Sequence, residues 1–327
     1  MLDKLSKFKS KTKGFVTLLR AGLGDLLRYH KFSRSSHNIH QTGVRAHVTV
    51  QYHVVEKGLT MPDFRLGFGQ DRVVALGRTL LKNSSLISCR EQTCHHAMKV
   101  LQEYAAIHKE YGYQLREDTR SVLAELEHLM KVEATRQHSR IGSSDQYFAH
   151  ANSNFDLFSK SRKSLRNFSE EEVRVETIEK ALELCRWAPS ACNRQSWRTY
   201  VYTNLKKIQE ILKLQGGNRG FGHLTNKLIV VTAELGVFCQ ANERNQAFVD
   251  GGMYAMNLLY CLHYHHVGAC VMNCAFFPNR EKSLRELCQI KESEVFIVMV
   301  ACGQPSENYK IAESPRFPVS DTNQVFQ

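Results

Sequence analysis

The sequence predicts an α/β or α+β domain over its second half, preceded by a mainly α-helical N-terminal region. From residue 155 onward, segments with apolar residues at helical spacing alternate with short runs of β-branched residues. Over residues 71–138, apolar residues recur three or four positions apart and few β-type runs occur. A chain of 327 residues that is 43% hydrophobic can bury one large core or two ordinary ones.

The first element, residues 1–34, is basic and amphipathic. Its apolar residues have helical spacing, although Gly14, Gly22 and Gly24 weaken a single continuous helix. Packing against the rest of the protein is the favoured expectation. Contact with an anionic membrane surface is the alternative. A basic patch also attracts nucleic acid, but no nucleic-acid-binding motif accompanies this one, and we expect no nucleic acid partner.

The next region, up to residue 138, is expected to be helical and to lack a metal site. Cys89, Cys94, His95 and His96 are close in sequence, but zinc sites usually use two spaced pairs of ligands. Adjacent histidines such as His95 and His96 also point to different faces of a helix. A second histidine group, at residues 263–266, is interpreted in the same way as ordinary surface or core residues.

A polar segment, residues 139–154, has the small residues of a linker. It predicts two domains: residues 1–150 form a helical extension, and residues 151–327 form the second domain.

The second domain contains four predicted strands and a central helix. Residues 199–203, 228–233, 267–274 and 295–302 are β-type or continuously apolar runs. Residues 250–266 have helical spacing and are apolar on almost every face, which predicts a helix at the centre of the domain.

The loop at residues 188–197 is the best candidate for binding chemistry. Pro189 ends the preceding helix, and Ser190 and Asn193 offer small polar groups to a ligand. A loop tied between a helix and a strand suits the binding of a planar polar ring. An ordinary helix–strand connection is the alternative when this loop is considered alone.

Three stretches together resemble the nitroreductase-like flavoprotein family over about residues 155–327. They are Arg162-Lys163-Ser164-Leu165-Arg166, the loop at 188–197, and Ser314-Pro315-Arg316-Phe317-Pro318. The loop departs from the family pattern because Ser196 replaces the usual proline. The resemblance implies an α+β fold with a mixed sheet wrapped by helices. It also implies a homodimer with FMN at the subunit interface.

The resemblance assigns FMN contacts to specific positions. The phosphate is expected on Arg162 and Arg316, whose planar charged groups fit phosphate oxygens. Arg166, or alternatively Lys163, is expected near N1 and O2 of the ring, where a cation favours the reduced flavin. The 188–197 loop is expected to come from the partner subunit. The full expected set is Arg162, Lys163, Ser164, Arg166, Pro189, Ser190, Ala191, Asn193, Gln195, Asn218, Asn273 and Arg316. No side chain is assigned as catalytic.

The function that the resemblance implies is an FMN-dependent oxidoreductase. Hydride passes from NADH or NADPH through the flavin to a small-molecule acceptor such as a nitro compound, a quinone or a biosynthetic intermediate. The stretches 53–62 and 65–69 resemble an extension of some family members from polysaccharide gene clusters. The alternative is therefore a non-catalytic flavin-binding or flavin-free partner protein in envelope polysaccharide assembly. We expect a cytoplasmic location, since no signal peptide or membrane span is predicted.

Overall fold

The structure is a computed structural model that describes residues 2–32, 41–83, 92–129 and 139–326. The chain forms two compact units that are discontinuous in sequence. The first unit contains residues 1–38 and 143–309, and the second contains residues 39–142 and 310–327. The sequence predicted one boundary near residue 150. In the structure, the N-terminal segment 1–38 belongs to the same unit as residues 143–309, and the C-terminal segment 310–327 belongs to the helical unit. The order of the sequence alone does not indicate this exchange.

The polar segment expected to be a linker is partly structured. Strand β1 (Ser139–Gly142) pairs with strand β6 (Tyr309–Ala312) in a two-stranded sheet. This pairing gives hydrogen-bond partners to the backbone of a polar stretch and attaches residues 310–312 to the second unit.

A four-stranded antiparallel sheet forms the centre of the first unit. Its strands are β2 (Trp197–Tyr202), β3 (Lys227–Glu234), β4 (Gly268–Asn273) and β5 (Glu294–Gly303), in the spatial order β2-β3-β5-β4. All four predicted strands are confirmed, as is the α+β class. The resemblance implied a mixed sheet, but every neighbouring pair in this sheet is antiparallel.

Helices surround this sheet. The helices of the first unit are α1 (Leu2–Phe32), α6 (Ser144–Tyr147), α7 (Phe155–Ser161), α8 (Val175–Cys185), α9 (Leu205–Gln215), α10 (Gln246–Tyr264) and α11 (Pro278–Cys288). Leu258 and Leu262 of α10 are fully buried in one core with Ile229 and Val300 of the sheet. Helix α10 is therefore central, as predicted, although one of its faces remains exposed.

Helix α1 is continuous over Leu2–Phe32, although its three glycines were expected to weaken a single helix. A Cβ at any of the three glycines would meet no atom within 4 Å, so these positions are open rather than packed. Asp25 accepts a bond of 2.7 Å from Arg244 Nε, which ties α1 to the rest of the first unit. Large apolar side chains of α1 are nevertheless exposed, including Phe15, Leu19, Leu23, Leu26 and Leu27. Among the described helices, none is long and apolar enough to span a membrane.

The second unit is mainly helical, as predicted. Its helices are α2 (Gln41–Leu59), α3 (Gln70–Lys82), α4 (Gln92–Glu110), α5 (Glu117–Leu129) and the short α12 (Val319–Thr322). Val55, Leu76, Leu101 and Tyr104 are buried in a single core that α2 to α5 share. This core shares no residue with the core of the first unit, so each unit has its own apolar interior.

The glycine-containing stretch at residues 65–69 has a structural role in this unit. Gly67 adopts a φ of 73° and Gly69 a φ of 62°, a region that favours glycine. The Gly67 N–H donates to buried His108 Nε2 at 2.9 Å, and Tyr104 Oη donates to the carbonyl of Phe68 at 2.7 Å. These bonds fix the turn before α3 onto helix α4.

Candidate functional site

The Arg162–Arg166 segment is held beside the edge strand β4. Leu165 is buried, and its N–H donates to the carbonyl of Ala269 in β4 at 3.0 Å. Tyr147 Oη donates to the carbonyl of Lys163 at 2.6 Å. These two hydrogen bonds fix the backbone of the segment. The positions from which its polar side chains extend are therefore defined.

Arg162 has unused hydrogen-bonding capacity in this segment. Its Nε is buried, and no acceptor for it lies among the residues that the structure describes. Buried guanidinium nitrogens normally have a partner, and phosphate oxygens are among the best acceptors for them. The position therefore fits a bound phosphate.

Buried His263 lies beside this segment, next to Ser161. Burial, together with the charges of Arg162 and His266, lowers the pKa of His263 from its ordinary 6.5 to about 4. Ser161 Oγ lies 2.8 Å from His263 Nε2, whereas buried Nδ1 has no partner in the described part of the chain. A neutral imidazole next to an arginine leaves that arginine's charge available to an anion.

Two further predicted residues meet at the same sheet edge. Gln215 Nε2 donates to the carbonyl of Asn273 at 3.2 Å, and Gln215 Oε1 accepts from Asn218 Nδ2 at 3.1 Å. Asn218 Nδ2 also donates to the carbonyl of Leu212 at 2.5 Å, which caps the end of α9. The amide nitrogen of Asn218 is thus used within its own turn, and the exposed Asn273 side chain is better placed for a ligand.

The 188–197 loop has a strained backbone. Cys192, Asn193 and Gln195 adopt φ values of 54°, 55° and 48°, although none is glycine. Left-handed backbone at non-glycine residues is costly and is concentrated at functional sites. Ser190 Oγ accepts from the Gln195 N–H at 3.0 Å, and Gln195 Nε2 donates to Asn193 Oδ1 at 3.2 Å. The predicted residues of the loop are therefore brought together, with Asn193 and Gln195 exposed.

Sequence reasoning missed the residue that anchors this loop. Asp250 of α10 is completely buried, and both of its carboxylate oxygens accept from the Ala191 N–H, at 3.2 Å each. Gln246 Nε2 donates to Asp250 Oδ1 at 2.8 Å. The available signal was an aspartate inside an apolar helix, since buried carboxylates require hydrogen-bond partners.

Arg194 supports the loop from its other end. Its Nε donates to the carbonyl of Ala191 at 3.0 Å, and its Nη2 pairs with Glu243. The bond from Arg194, together with the Cys239 N–H, lowers the pKa of Glu243 to about 2. Ser196, which stands where the resemblance expects proline, is fully buried, and its carbonyl accepts from the Glu234 N–H at 2.8 Å.

The predicted residues of the first unit form two groups at opposite edges of the sheet. The loop leads into β2, whereas the Arg162–Arg166 segment lies beside β4, and β3 and β5 separate those strands. Three interstrand spacings of about 4.8 Å place the two edges roughly 14 Å apart.

Arg316 belongs to the second unit. Its side chain is exposed, and its Nη1 donates to the carbonyl of Ser314 at 2.5 Å. Gln92 Nε2 donates to the carbonyl of Arg316 at 3.0 Å. The assignment of Arg316 to the FMN phosphate stays a prediction.

The cysteine and histidine groups considered for metal binding have other partners. His96 Nε2 lies 3.1 Å from Glu56 Oε1, and Cys94 is buried. Cys89 lies outside the described residues. Within the described ranges, no group of three or more His, Cys, Asp or Glu side chains has an arrangement that could hold a metal ion.

Comparison with protein families gives a match to the part of the chain that contains both candidate segments. Residues 159–218 match the model of the Nitroreductase family. The matched residues contain both the Arg162–Arg166 segment and the 188–197 loop, so the family match covers both groups of the candidate site.

Proteins similar to this chain include two archaeal proteins with the provisional name NADH dehydrogenase/NAD(P)H nitroreductase. The one from Methanothermobacter thermautotrophicus is 25% identical over 152 residues, which are 46% of this chain and 76% of the relative. The one from Archaeoglobus fulgidus is 28% identical over 156 residues, which are 47% of this chain and 86% of the relative.

Solved structures also match about half of the chain. A provisionally named NADH oxidase from Clostridium acetobutylicum matches 50% of this chain and 96% of its own, at 25% identity and a TM-score of 0.44. A nitroreductase from Desulfovibrio desulfuricans, solved with FMN, matches 54% of this chain and 99% of its own, at 20% identity and a TM-score of 0.45.

Proposed function

We propose that this protein is an FMN-dependent oxidoreductase that takes hydride from NADH or NADPH and reduces a small-molecule acceptor. The observation that carries the proposal is the buried Arg162 Nε, which has no partner among the described residues and lies inside the segment that matches the Nitroreductase family. The names of the two archaeal relatives support a nicotinamide donor.

The Arg162–Arg166 segment would hold the phosphate and one edge of the ring. Arg162 supplies a permanent charge, and Ser164 supplies a hydroxyl. Lys163 and Arg166 are the cations proposed for the N1 and O2 side of the ring, where positive charge favours reduction. Each of these side chains is partly buried, so its charge acts through a medium less polar than bulk water.

The 188–197 loop would complete the site from a second copy of the chain. The two groups of predicted residues lie at opposite edges of one sheet, and this separation supports a site shared by two copies of the chain. Pro189, Ser190, Ala191, Asn193 and Gln195 would then contact the ring from the partner. Exposed apolar residues just after α8 and on α10, including Trp187, Val249, Met253 and Met256, offer a surface for this dimer.

The side chains of this chain would bind and orient the reactants. Bound FMN supplies the ring atom that accepts and releases hydride, which asks for little acid–base chemistry from the protein. No disulfide joins the cysteines that the structure describes, which fits the reducing cytoplasm proposed as the location.

The first test is an absorption spectrum of the purified protein before and after anaerobic addition of NADH or NADPH. The proposal expects a bound-flavin spectrum that loses its visible absorbance on addition of one donor. A protein that takes up no FMN when FMN is offered would contradict the proposal. That result would favour the alternative of a flavin-free partner protein in polysaccharide assembly.

A second test concerns the phosphate. Arg162→Ala should weaken FMN binding about thirtyfold, because a charge-assisted contact contributes about 2 kcal/mol. Riboflavin has no phosphate, so its affinity should change little. The matched control is Arg174→Ala, since Arg174 is exposed and pairs only weakly with exposed Glu176. An equal loss for both ligands would contradict the phosphate assignment.

A further inference from the structure

Helix α1 is attached to the first unit by one narrow side. Between Gly14 and Phe32, only Ala21 and Asp25 are partly covered, and every other residue is exposed. These two residues are four positions apart and therefore lie on the same side of the helix. Asp25 Oδ2 accepts bonds from Arg244 Nε at 2.7 Å and from Arg244 Nη2 at 2.6 Å. The attached side of α1 is thus held by an ion pair.

The apolar residues of α1 lie on a different side. Phe15, Leu19, Leu23 and Leu26 recur three or four positions apart, which is the spacing of a single stripe along a helix. Their side chains are exposed by 66%, 60%, 53% and 63%. At about 100° per residue, this apolar stripe is centred roughly 135° from the attached side. The helix is therefore attached through polar contacts and exposes its apolar stripe.

The apolar stripe is long enough to need a partner. A helix in water gains most of its stability from packing an apolar face rather than from the helical preference of its residues. Residues 15–27 extend along about 20 Å of helix axis. A contiguous exposed apolar patch with polar residues beside it is typical of a contact with a protein or a membrane.

The charges of α1 favour an anionic lipid surface as that partner. Within residues 2–32, the sequence has eight lysines and arginines against two aspartates, one of which already forms an ion pair. Arg20 is four positions from exposed Val16, and Lys31 is four positions from exposed Leu27, so both cations border the apolar side. Long basic side chains in such positions reach lipid headgroups while the apolar side enters the membrane.

A second copy of α1 suits this surface less well. Two copies packed along their apolar stripes would place two strongly basic helices side by side, and like charges across an interface are unfavourable. An anionic lipid surface instead attracts each lysine and arginine that comes near it. The charge of the helix therefore opposes self-association and favours lipid.

We propose that α1 is an amphipathic anchor that binds this protein to an anionic membrane surface. The apolar stripe enters the boundary between headgroups and acyl chains, and the basic residues bind the headgroups. The ion pair between Asp25 and Arg244 connects this anchor to the rest of the first unit. The proposal does not depend on the oxidoreductase activity proposed above.

The test is flotation of the full-length protein with lipid vesicles. Vesicles of phosphatidylcholine alone are compared with vesicles of phosphatidylcholine mixed with phosphatidylglycerol. The protein should bind the mixed vesicles at least about tenfold more tightly, and added salt should reduce this difference because it screens the attraction. Binding to neither type of vesicle, or equal binding to both, would overturn the proposal.

Two pairs of substitutions separate the apolar and the basic contributions. Leu19→Glu combined with Leu26→Glu should weaken binding to the mixed vesicles by about tenfold or more, because the apolar stripe would then contain two charges. Arg20→Gln combined with Lys31→Gln should weaken binding to the mixed vesicles about tenfold and change binding to neutral vesicles little. All four positions are exposed, so the thermal midpoint should stay close to that of the wild type.

The matched control is Leu205→Glu combined with Phe277→Glu. Leu205 and Phe277 belong to the same unit and are exposed by 59% and 85%, and the control adds the same two charges outside α1. It should weaken binding to the mixed vesicles by less than about threefold. Equal losses in the control and in the stripe variant would contradict a specific role of α1.

Sedimentation velocity without lipid tests the other possible partner of the apolar stripe. The stripe variant, Leu19→Glu with Leu26→Glu, should have the same oligomeric state as the wild type. If the wild type binds no vesicles and the stripe variant alone changes a dimer into a monomer, the apolar stripe is an interface between copies. The membrane proposal would then be wrong.

Discussion

At the scale of single residues, a few buried polar groups shape the candidate site. Asp250 holds Ala191 through both carboxylate oxygens, and this bond helps to maintain a loop with several left-handed residues. Arg162 has the opposite character, since its buried Nε lacks a partner in the described structure. Asp250 thus stabilises the strained backbone of the loop, whereas Arg162 has a donor that a ligand could use.

Asp250→Asn should destabilise the protein by about 1–3 kcal/mol, because an amide presents only one acceptor oxygen to the two donors Ala191 N–H and Gln246 Nε2. Urea unfolding at neutral pH measures the change. Glu183→Gln is the control, since Glu183 and Arg186 form an exposed ion pair and its loss should cost less than about 1 kcal/mol. Equal effects of the two substitutions would show that Asp250 is not an anchor.

At the scale of elements, helix α10 has two faces with different tasks. The face with Leu258 and Leu262 is buried against the sheet. The other face exposes Val249, Met253 and Met256 by 52%, 38% and 40%, which is a stripe at helical spacing. This exposed apolar stripe is the surface proposed above for a second copy of the chain.

Met253→Glu combined with Met256→Glu should convert the proposed dimer into a monomer, because two charges on each copy would be desolvated at the interface. Sedimentation velocity across a range of concentrations measures this, and FMN retention should fall with it. Leu205→Glu is the matched control, as Leu205 is 59% exposed at the start of α9. A double variant that remains dimeric and retains FMN would rule out this interface.

At the scale of the whole molecule, the two units contain different groups that take up protons in acid. His263 of the first unit has its pKa lowered from 6.5 to about 4. Glu56 of the second unit has its pKa lowered from 4.5 to about 2. In each case the unfolded chain binds the proton at a higher pH than the folded chain does, so acid favours unfolding.

Stability of the first unit should therefore fall as pH decreases from 6.5 to about 4, and that of the second from 4.5 to about 2. Each loss is on the order of 3 kcal/mol. Both tryptophans, Trp187 and Trp197, belong to the first unit, so tryptophan fluorescence follows that unit alone. Urea midpoints from fluorescence should fall between pH 6.5 and 4, and His263→Gln should flatten this dependence. A flat wild-type profile would contradict the burial of neutral His263.

Much of the fold could be predicted because its signals are local. The four strands are runs of apolar and β-branched residues, and helix α10 shows its spacing directly in the sequence. The 188–197 loop could also be singled out, because a proline and small polar residues between a helix and a strand indicate a turn with available polar groups. These features depend on residues that are close together in the chain.

The sequence by itself determined the α+β class, the helical N-terminal region and the segments in which chemistry is expected. Only the tertiary structure decided that Asp250 anchors Ala191 and that the two groups of site residues lie at opposite sheet edges. It also decided that the chain ends belong to opposite units. The physical reason is that these features are hydrogen bonds and strand pairings between distant residues, which no local spacing specifies.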